Sequence, residues 1–184
     1  MSFCDDYTLL DDELNVYRSI NYKNVMQMFT NMKTGVIFLG GAWCKNCQAV
    51  IHIVNAVAKK NKIRTIHHFD PITTNVFKEE VDWRDCGDLE TKMDYYAFIE
   101  KIGYKSDTLV PDTLIPRINV PAIIGIKNGD CVGIIDDEYI YDEAGLHFED
   151  EFDDRTVEFE EKLDQLFKRV KAKEKNEQNM PLDI

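Results

Sequence analysis

The fold of this chain is decided by the stretch Gly35-Val-Ile-Phe-Leu-Gly-Gly-Ala-Trp-Cys-Lys-Asn-Cys-Gln-Ala-Val50. Its apolar run Val36–Leu39 is typical of a strand that is buried on both faces. Gly40 and Gly41 end this strand and let the backbone turn. Apolar residues then recur at helical spacing, at Val50, Ile51, Ile53, Val54 and Val57. The stretch therefore predicts a strand, a turn, a Cys-x-x-Cys pair and a helix.

The two cysteines of this stretch, Cys44 and Cys47, are spaced for redox chemistry. Residues three apart on a helix share one face, so the two sulfur atoms can meet. Unpaired N–H groups and the helix dipole lower the pKa of a thiol at a helix N-terminus from about 8.5 to between about 3.5 and 7.5. We therefore expect Cys44 to be the attacking nucleophile and Cys47 to be the buried resolving thiol. The cationic Lys45 should add to the stability of the thiolate.

Two other interpretations of the cysteine pair remain open. A zinc site needs four ligands, usually from two such pairs, and this chain has one Cys-x-x-Cys. The cysteines could also be small apolar residues of the core at helical spacing. The pattern of strand, Trp43, Cys-x-x-Cys and helix is more specific and favours redox chemistry, with no metal and no bound cofactor.

Composition limits the partners that the chain can have. At 184 residues it fits one domain with additions, and 34 acidic against 22 basic residues give a net charge of −12. This charge argues against nucleic acid and against anionic membrane surfaces. The sequence shows no signal peptide and no run of transmembrane length, so we expect a cytoplasmic protein. Five scattered cysteines do not make a disulfide framework.

Hydrophobic patterns divide the chain into an N-terminal arm (residues 1–20), a main domain (21–170) and a frayed tail (171–184). A helix capped by Asn21 precedes the decisive strand, and Ile63–Asp70 reads as the next strand, parallel to the first. Ala122–Ile126 and Cys131–Ile135 predict a hairpin, joined through Asn128-Gly129. A C-terminal amphipathic helix follows an acidic loop, with apolar positions at Val157, Phe159, Leu163, Leu166, Phe167 and Val170.

Residues 71–116, called the insertion below, are the least regular part of the main domain. Thr73–Val81 could be a short helix, and Glu90–Tyr104 has helical spacing. The insertion leads into Val120-Pro121. Its aromatic residues predict either an exposed binding wall or a small satellite core (Trp83, Tyr95, Phe98).

This order of elements resembles thioredoxin, and more closely the thioredoxin-like bacteriocin transport accessory proteins, over about residues 21–170. The likeness rests on Trp43-Cys44-Lys45-Asn46-Cys47, Val120-Pro121 and Lys127-Asn128-Gly129. It implies an α/β thioredoxin fold, with three α/β/α layers around a mixed sheet, enlarged by the insertion. It also implies that Pro121 is cis and faces the dithiol, and that the substrate binds at Trp43, Val120 and Pro121. In such a fold, the insertion that leads into Val120-Pro121 is expected to lie beside the dithiol. Taken alone, Pro121 could also be an edge-strand proline.

The chain departs from thioredoxin in three places. Lys45-Asn46 replaces the Gly-Pro of thioredoxin between the cysteines, and Phe38 stands where thioredoxin has a buried Asp that helps proton transfer. The segment between Asp70 and Val120 is about thirty residues longer. These differences concern the redox potential, the turnover and the substrate more than the fold.

The resemblance and the cysteine pair together predict a thiol–disulfide oxidoreductase that reduces protein disulfides. Its partners would be a disulfide-containing protein substrate and a thiol protein that donates electrons. One alternative is a binding or adaptor module on a thioredoxin scaffold, with little turnover. Another is a thiol sensor in which Cys86 exchanges with the Cys44–Cys47 pair.

Overall fold

The strand predicted at Val36–Leu39 lies at the centre of a mixed five-stranded sheet. A computed structural model describes residues 3–74, 78–85, 88–136 and 154–173 of the chain. In order, its elements are α1 (Phe3–Asp6), β1 (Tyr17–Ser19), α2 (Tyr22–Thr30), β2 (Gly35–Leu39), α3 (Lys45–Lys60), β3 (Ile66–Phe69), β4 (Ile72–Thr74), β5 (Glu80–Asp82), α4 (Leu89–Ile102), β6 (Ala122–Lys127), β7 (Asp130–Asp136) and α5 (Asp154–Lys171).

The main sheet has the strand order β1-β3-β2-β6-β7. Strand β2 is parallel to β3, as the strand–helix–strand pattern predicted, and β3 is also parallel to β1. Strands β6 and β7 form the predicted hairpin, and β6 is antiparallel to β2. The turn residues of this hairpin, Asn128 and Gly129, both have positive φ, 50° and 82°. This mixed sheet, with helices on both faces, confirms the predicted α/β thioredoxin fold.

The alternation of side chains along β2 divides the core into two layers. Val36 and Phe38 belong to a cluster with residues of α3 and α5. Ile37 and Leu39 face the opposite side and pack with residues of α2 and α4. All four side chains are fully buried, so β2 is covered on both faces, as its continuous apolar run predicted.

The N-terminal segment, for which the sequence left an irregular arm or a short strand open, contains the short strand β1 and packs onto the main sheet. Strand β1 is the edge strand of the main sheet, and Tyr7, Leu10 and Tyr17 are buried in its core. The hydroxyl of Tyr17 donates to the Ile51 carbonyl of α3 at 2.7 Å. Burial of the large aromatic side chains stabilises this packing, and the neighbouring acidic residues do not oppose it because they remain at the surface.

The insertion differs from its prediction at its start. The helix predicted at Thr73–Val81 is wrong: β4 and β5 are antiparallel partners there, with Thr73 opposite Val81. β-Branched residues favour extended chain and outweigh a short helical pattern. The helix predicted at Glu90–Tyr104 is confirmed as α4, with Asp88 as its N-cap and Gly103 in the left-handed conformation at its end.

The three aromatic residues of the insertion lie inside the protein. Trp83, Tyr95 and Phe98 are 3%, 0% and 0% exposed, so they form no exposed binding wall. The ring of Trp83 is edge-on to Phe69 of β3 at 5.1 Å and to Tyr95 at 5.0 Å. The insertion is therefore anchored in the main core through these rings.

Helix α5 confirms the predicted C-terminal helix and packs against α3 and the β6–β7 hairpin. The acidic loop predicted at 136–154 and the predicted tail lie almost entirely outside the described residues, as does Cys86. Across the described ranges, no helix has the length and apolar character that crossing a membrane requires.

Candidate functional site

Cys44 and Cys47 lie at the start of α3, immediately after the turn that ends β2. Cys44 is the N-cap of the helix, and its sulfur accepts a hydrogen bond from the backbone N–H of Cys47 at 3.3 Å. Cys47 is fully buried, whereas Cys44 is partly exposed, and both are free thiols. The pair therefore offers one accessible sulfur and one covered sulfur on the same helix turn.

The surroundings of the two thiols move their pKa values in opposite directions. The pKa of Cys44 is lowered from 9.0 to about 7, chiefly because the Cys47 thiol hydrogen-bonds the Cys44 thiolate. The backbone N–H groups of Asn46 and Cys47 lower it further, as expected at a helix N-terminus. Burial raises the pKa of Cys47 far above its usual range, and the negative charge of Cys44 adds to this shift. The geometry thus favours a thiolate at Cys44 and a protonated thiol at Cys47.

Two glycines make this arrangement possible. A Cβ atom on Gly40 would lie 2.5 Å from the Cys47 sulfur, and one on Gly41 would lie 2.1 Å from Nε1 of Trp43. Carbon atoms cannot approach these atoms so closely, so any larger residue would displace the thiol or the indole. The Gly40-Gly41 pair therefore serves close packing around the dithiol as well as the turn.

The segment that contains Pro121 lies against Cys44. The Val120–Pro121 peptide bond is cis. The Cys44 sulfur is 3.8 Å from the Val120 carbonyl oxygen, at the limit of a weak S–H···O hydrogen bond. The structure thus brings the dithiol and Val120 together from positions 76 residues apart.

Trp43 is the exposed aromatic residue next to the dithiol, with 49% of its surface accessible. Its indole N–H donates to the Asp70 carboxylate at 3.0 Å, and that carboxylate also accepts from the backbone N–H of Ile72. The guanidinium of Arg84 lies 5.6 Å from the centre of the Trp43 ring, within range of a cation–π interaction. Trp43 is held between the end of β3 and the insertion.

Arg84 is a residue of the site that the sequence did not reveal. It is 4% exposed, and its guanidinium pairs with the Asp82 carboxylate at 2.7 Å and donates to the Ile118 carbonyl at 3.4 Å. Its positive charge contributes to the lowered pKa of Cys44, and it opposes in part the rise that burial causes in the pKa of Cys47. The predicted cation, Lys45, is exposed to solvent. Arg84 belongs to the insertion, which therefore contacts Trp43, the residue before Cys44.

The sequence also did not reveal the contact between Tyr7 and His68, which lie in the core near Cys47 and Phe38. The Tyr7 hydroxyl and His68 Nε2 are 2.7 Å apart, and the His68 ring stacks on Phe38 at 5.8 Å. Burial raises the pKa of Tyr7 well above its usual range, with a further contribution from the charge of Cys47. Burial also lowers the pKa of His68 to about 4, so the imidazole is neutral at pH 7.

The described residues contain no group of three or more His, Cys, Asp or Glu side chains that could hold a metal ion. Within that part of the chain, the groups around the dithiol include the two thiols, a buried arginine, the Asp70 carboxylate that bonds Trp43, and backbone groups. Such an arrangement can form a thiolate, exchange it with a disulfide and hold an extended segment against Val120.

Neither a protein-family model nor a curated protein matches the chain. Among solved structures, it is similar to thioredoxin O2 from Arabidopsis thaliana in the oxidized state, at 13% identity and a TM-score of 0.40. The similarity covers 83% of this chain and 96% of that one. The resemblance to bacteriocin transport accessory proteins stays a prediction from the sequence.

Proposed function

We propose that this protein is a thiol–disulfide oxidoreductase that reduces protein disulfides through Cys44 and Cys47. The observation that carries the proposal is the difference in exposure and pKa between the two thiols. Cys44 is accessible, lies at a helix N-terminus and has a lowered pKa, whereas Cys47 is buried one turn away with a raised pKa. A pair of core cysteines would have no reason to differ in this way.

The proposed reaction has two exchange steps. The Cys44 thiolate attacks one sulfur of the substrate disulfide, forms a mixed disulfide and releases the other substrate sulfur as a thiolate. Cys47 then loses its proton and attacks the Cys44 sulfur, which releases the second substrate thiol and leaves a Cys44–Cys47 disulfide. A donor protein with its own thiol pair returns two electrons and two protons. In a cytoplasmic compartment, the glutathione poise makes substrate reduction the expected direction.

The substrate would lie across Trp43, Val120 and Pro121. The Val120 carbonyl is 3.8 Å from the reacting sulfur, and the half-exposed indole of Trp43 offers apolar surface beside it. An extended peptide around a disulfide can pair with backbone groups of such a segment. Lys45, exposed next to Cys44, would add to the attraction for the thiolate.

The proposal is tested by reduction of a model protein disulfide, with a dithiol as electron donor. We expect Cys44→Ser to abolish the reaction and Cys131→Ser to leave it unchanged, since Cys131 lies in β7, away from the dithiol. Cys47→Ser should retain the first step and accumulate a mixed disulfide on Cys44, visible by mass spectrometry. Turnover that survives Cys44→Ser would refute the proposal.

One observation favours an alternative with little turnover. Phe38, fully buried beside Cys47, supplies no carboxylate to accept the proton of the resolving thiol. A binding or adaptor module would hold a partner at Trp43 and Val120 without releasing it by exchange. The adaptor hypothesis predicts that a captured protein stays bound when both cysteines are replaced by serine. The oxidoreductase hypothesis predicts that the same variant no longer captures its substrate.

A further inference from the structure

A second cleft lies at the end of the main sheet opposite the dithiol. Its volume is about 860 Å³. It is formed by the start of β2, the connection from α3 to β3, the end of β6 and the end of α5. The dithiol follows the other end of β2, so the two sites are separated by the length of the sheet.

The charged residues that line this cleft are all basic: Lys62, Arg64, Lys127, Lys171 and Lys173. The chain as a whole has 34 acidic and 22 basic residues. In a protein of net charge −12, a cleft lined by basic residues forms a local region of positive electrostatic potential. We call it the cationic cleft.

The positive charge of the cationic cleft is not neutralised by the chain's own described carboxylates. Within the described ranges, none of its five basic side chains has a carboxylate within 4.0 Å. Lys171 donates to the Asn61 carbonyl at 2.6 Å, which leaves its charge uncompensated. The helix dipole accounts for a basic residue in the last turn of α5, such as Lys171. It does not account for Arg64, which lies outside any helix, or for Lys127 on a strand.

The walls of the cleft are fixed in place by hydrogen bonds. Thr34 bonds Asn128 twice, through the side-chain amide oxygen at 3.2 Å and the backbone N–H at 3.0 Å. The backbone N–H of Gly129 donates to the Lys33 carbonyl at 3.0 Å. These bonds tie the β6–β7 turn, which follows Lys127, to the segment before β2. A ligand would therefore meet a framework that is already assembled.

The lining also indicates what kind of anion would fit. Lysine and arginine are the side chains that bind phosphate oxygens most strongly. The described lining residues include no Phe, Tyr or Trp, so a nucleobase would find only the His67 ring and the Arg64 guanidinium to stack on, and the basic side chains are the main recognition groups. The cleft is broad and open to solvent, and its volume of about 860 Å³ is larger than one phosphate ion needs. The strongly acidic remainder of the chain disfavours a long nucleic acid.

We propose that the cationic cleft binds a small anion that carries two or more clustered phosphate groups. The proposal is independent of the redox function, because no lining residue belongs to the dithiol site. It is tested by calorimetric titration of the full chain with inorganic tripolyphosphate at low ionic strength. We expect binding that weakens as salt is added and that is at least tenfold tighter than binding of orthophosphate.

The variant Arg64→Gln with Lys127→Gln should raise the dissociation constant for tripolyphosphate about tenfold, since each lost cation removes a contact of modest strength. The matched control is Lys101→Gln with Lys105→Gln, which removes the same charge outside the cleft and should have little effect. If the first variant does not fold, Lys62→Gln with Lys173→Gln removes two exposed cations of the same cleft.

Three results would overturn the proposal. One is the absence of tripolyphosphate binding at low salt, and another is an equal loss of affinity in the cleft variant and its control. The third is binding of a nucleoside triphosphate more than tenfold tighter than tripolyphosphate, because a base would then be recognised. Equal binding of the two ligands supports recognition of the phosphate groups alone.

Discussion

Alkylation of the cysteines across a range of pH tests the central feature of the site, the lowered pKa of Cys44. The reduced protein is treated with iodoacetamide between pH 5 and 9, and the adducts at each cysteine are measured by mass spectrometry. The thiolate is the reactive form, so the rate at each position should follow its ionised fraction. We expect the rate at Cys44 to reach half of its maximum near pH 7.

The size of the expected effect follows from two opposing terms. A pKa lowered from 9.0 to about 7 raises the thiolate fraction at pH 6 about a hundredfold. The intrinsic nucleophilicity of a thiolate falls with its pKa, with a Brønsted coefficient of about 0.4–0.5, which removes about tenfold of this gain. Cys44 should therefore react about ten times faster at pH 6 than an unperturbed thiol.

Cys131 is the internal control, because burial raises its pKa and its rate should still increase above pH 8. The pH midpoint is more informative than the rate itself, since limited access slows alkylation without moving the midpoint. A midpoint for Cys44 at or above pH 8.5 would refute the reasoning. So would labelling of Cys47 as fast as that of Cys44.

Two further predictions concern the groups around the dithiol. Arg84→Met removes a buried cation, so the alkylation midpoint of Cys44 should move to higher pH. Arg84→Lys keeps the charge and should leave the midpoint close to that of the native protein. An unchanged midpoint in Arg84→Met would exclude an electrostatic role. The resolving step should be slow at neutral pH and should accelerate up to about tenfold per pH unit, because Cys47 must lose its proton from a raised pKa and the buried Phe38 beside it supplies no carboxylate. Stopped-flow exchange with a model disulfide measures that step, and a flat pH profile would contradict the prediction.

Local sequence signals predicted the parts of the fold that short stretches determine. The apolar run of β2, the glycine pair and the helical spacing after Cys47 are each complete within a few residues, and so is the Asn128-Gly129 turn. Strands β4 and β5 have three residues each, too few for a period of two to be distinguished from a helical pattern. The helix prediction at Thr73–Val81 failed for that reason.

Other features depend on contacts between distant parts of the chain. Tyr7 and His68 are 61 residues apart, and neither position carries a local sign of the hydrogen bond between them. The burial of Arg84 depends on Asp82, two residues away, and on Ile118, 34 residues away. The sequence predicted an insertion near the dithiol, but it could not show that Arg84 is the side chain that turns inward toward Trp43.

The Tyr7–His68 pair raises the question of whether it replaces the missing carboxylate beside Cys47. A phenol with a raised pKa stays protonated, so the Tyr7 hydroxyl keeps its proton and shares a hydrogen bond with Nε2 of His68. A hydrogen bond with the backbone of Gly40 holds the imidazole as well. Both ring nitrogens are thus occupied, and a pKa of about 4 makes His68 a weak base. The pair supports the packing under the dithiol but offers Cys47 no ready proton acceptor, which is why we expect the resolving step to depend on pH.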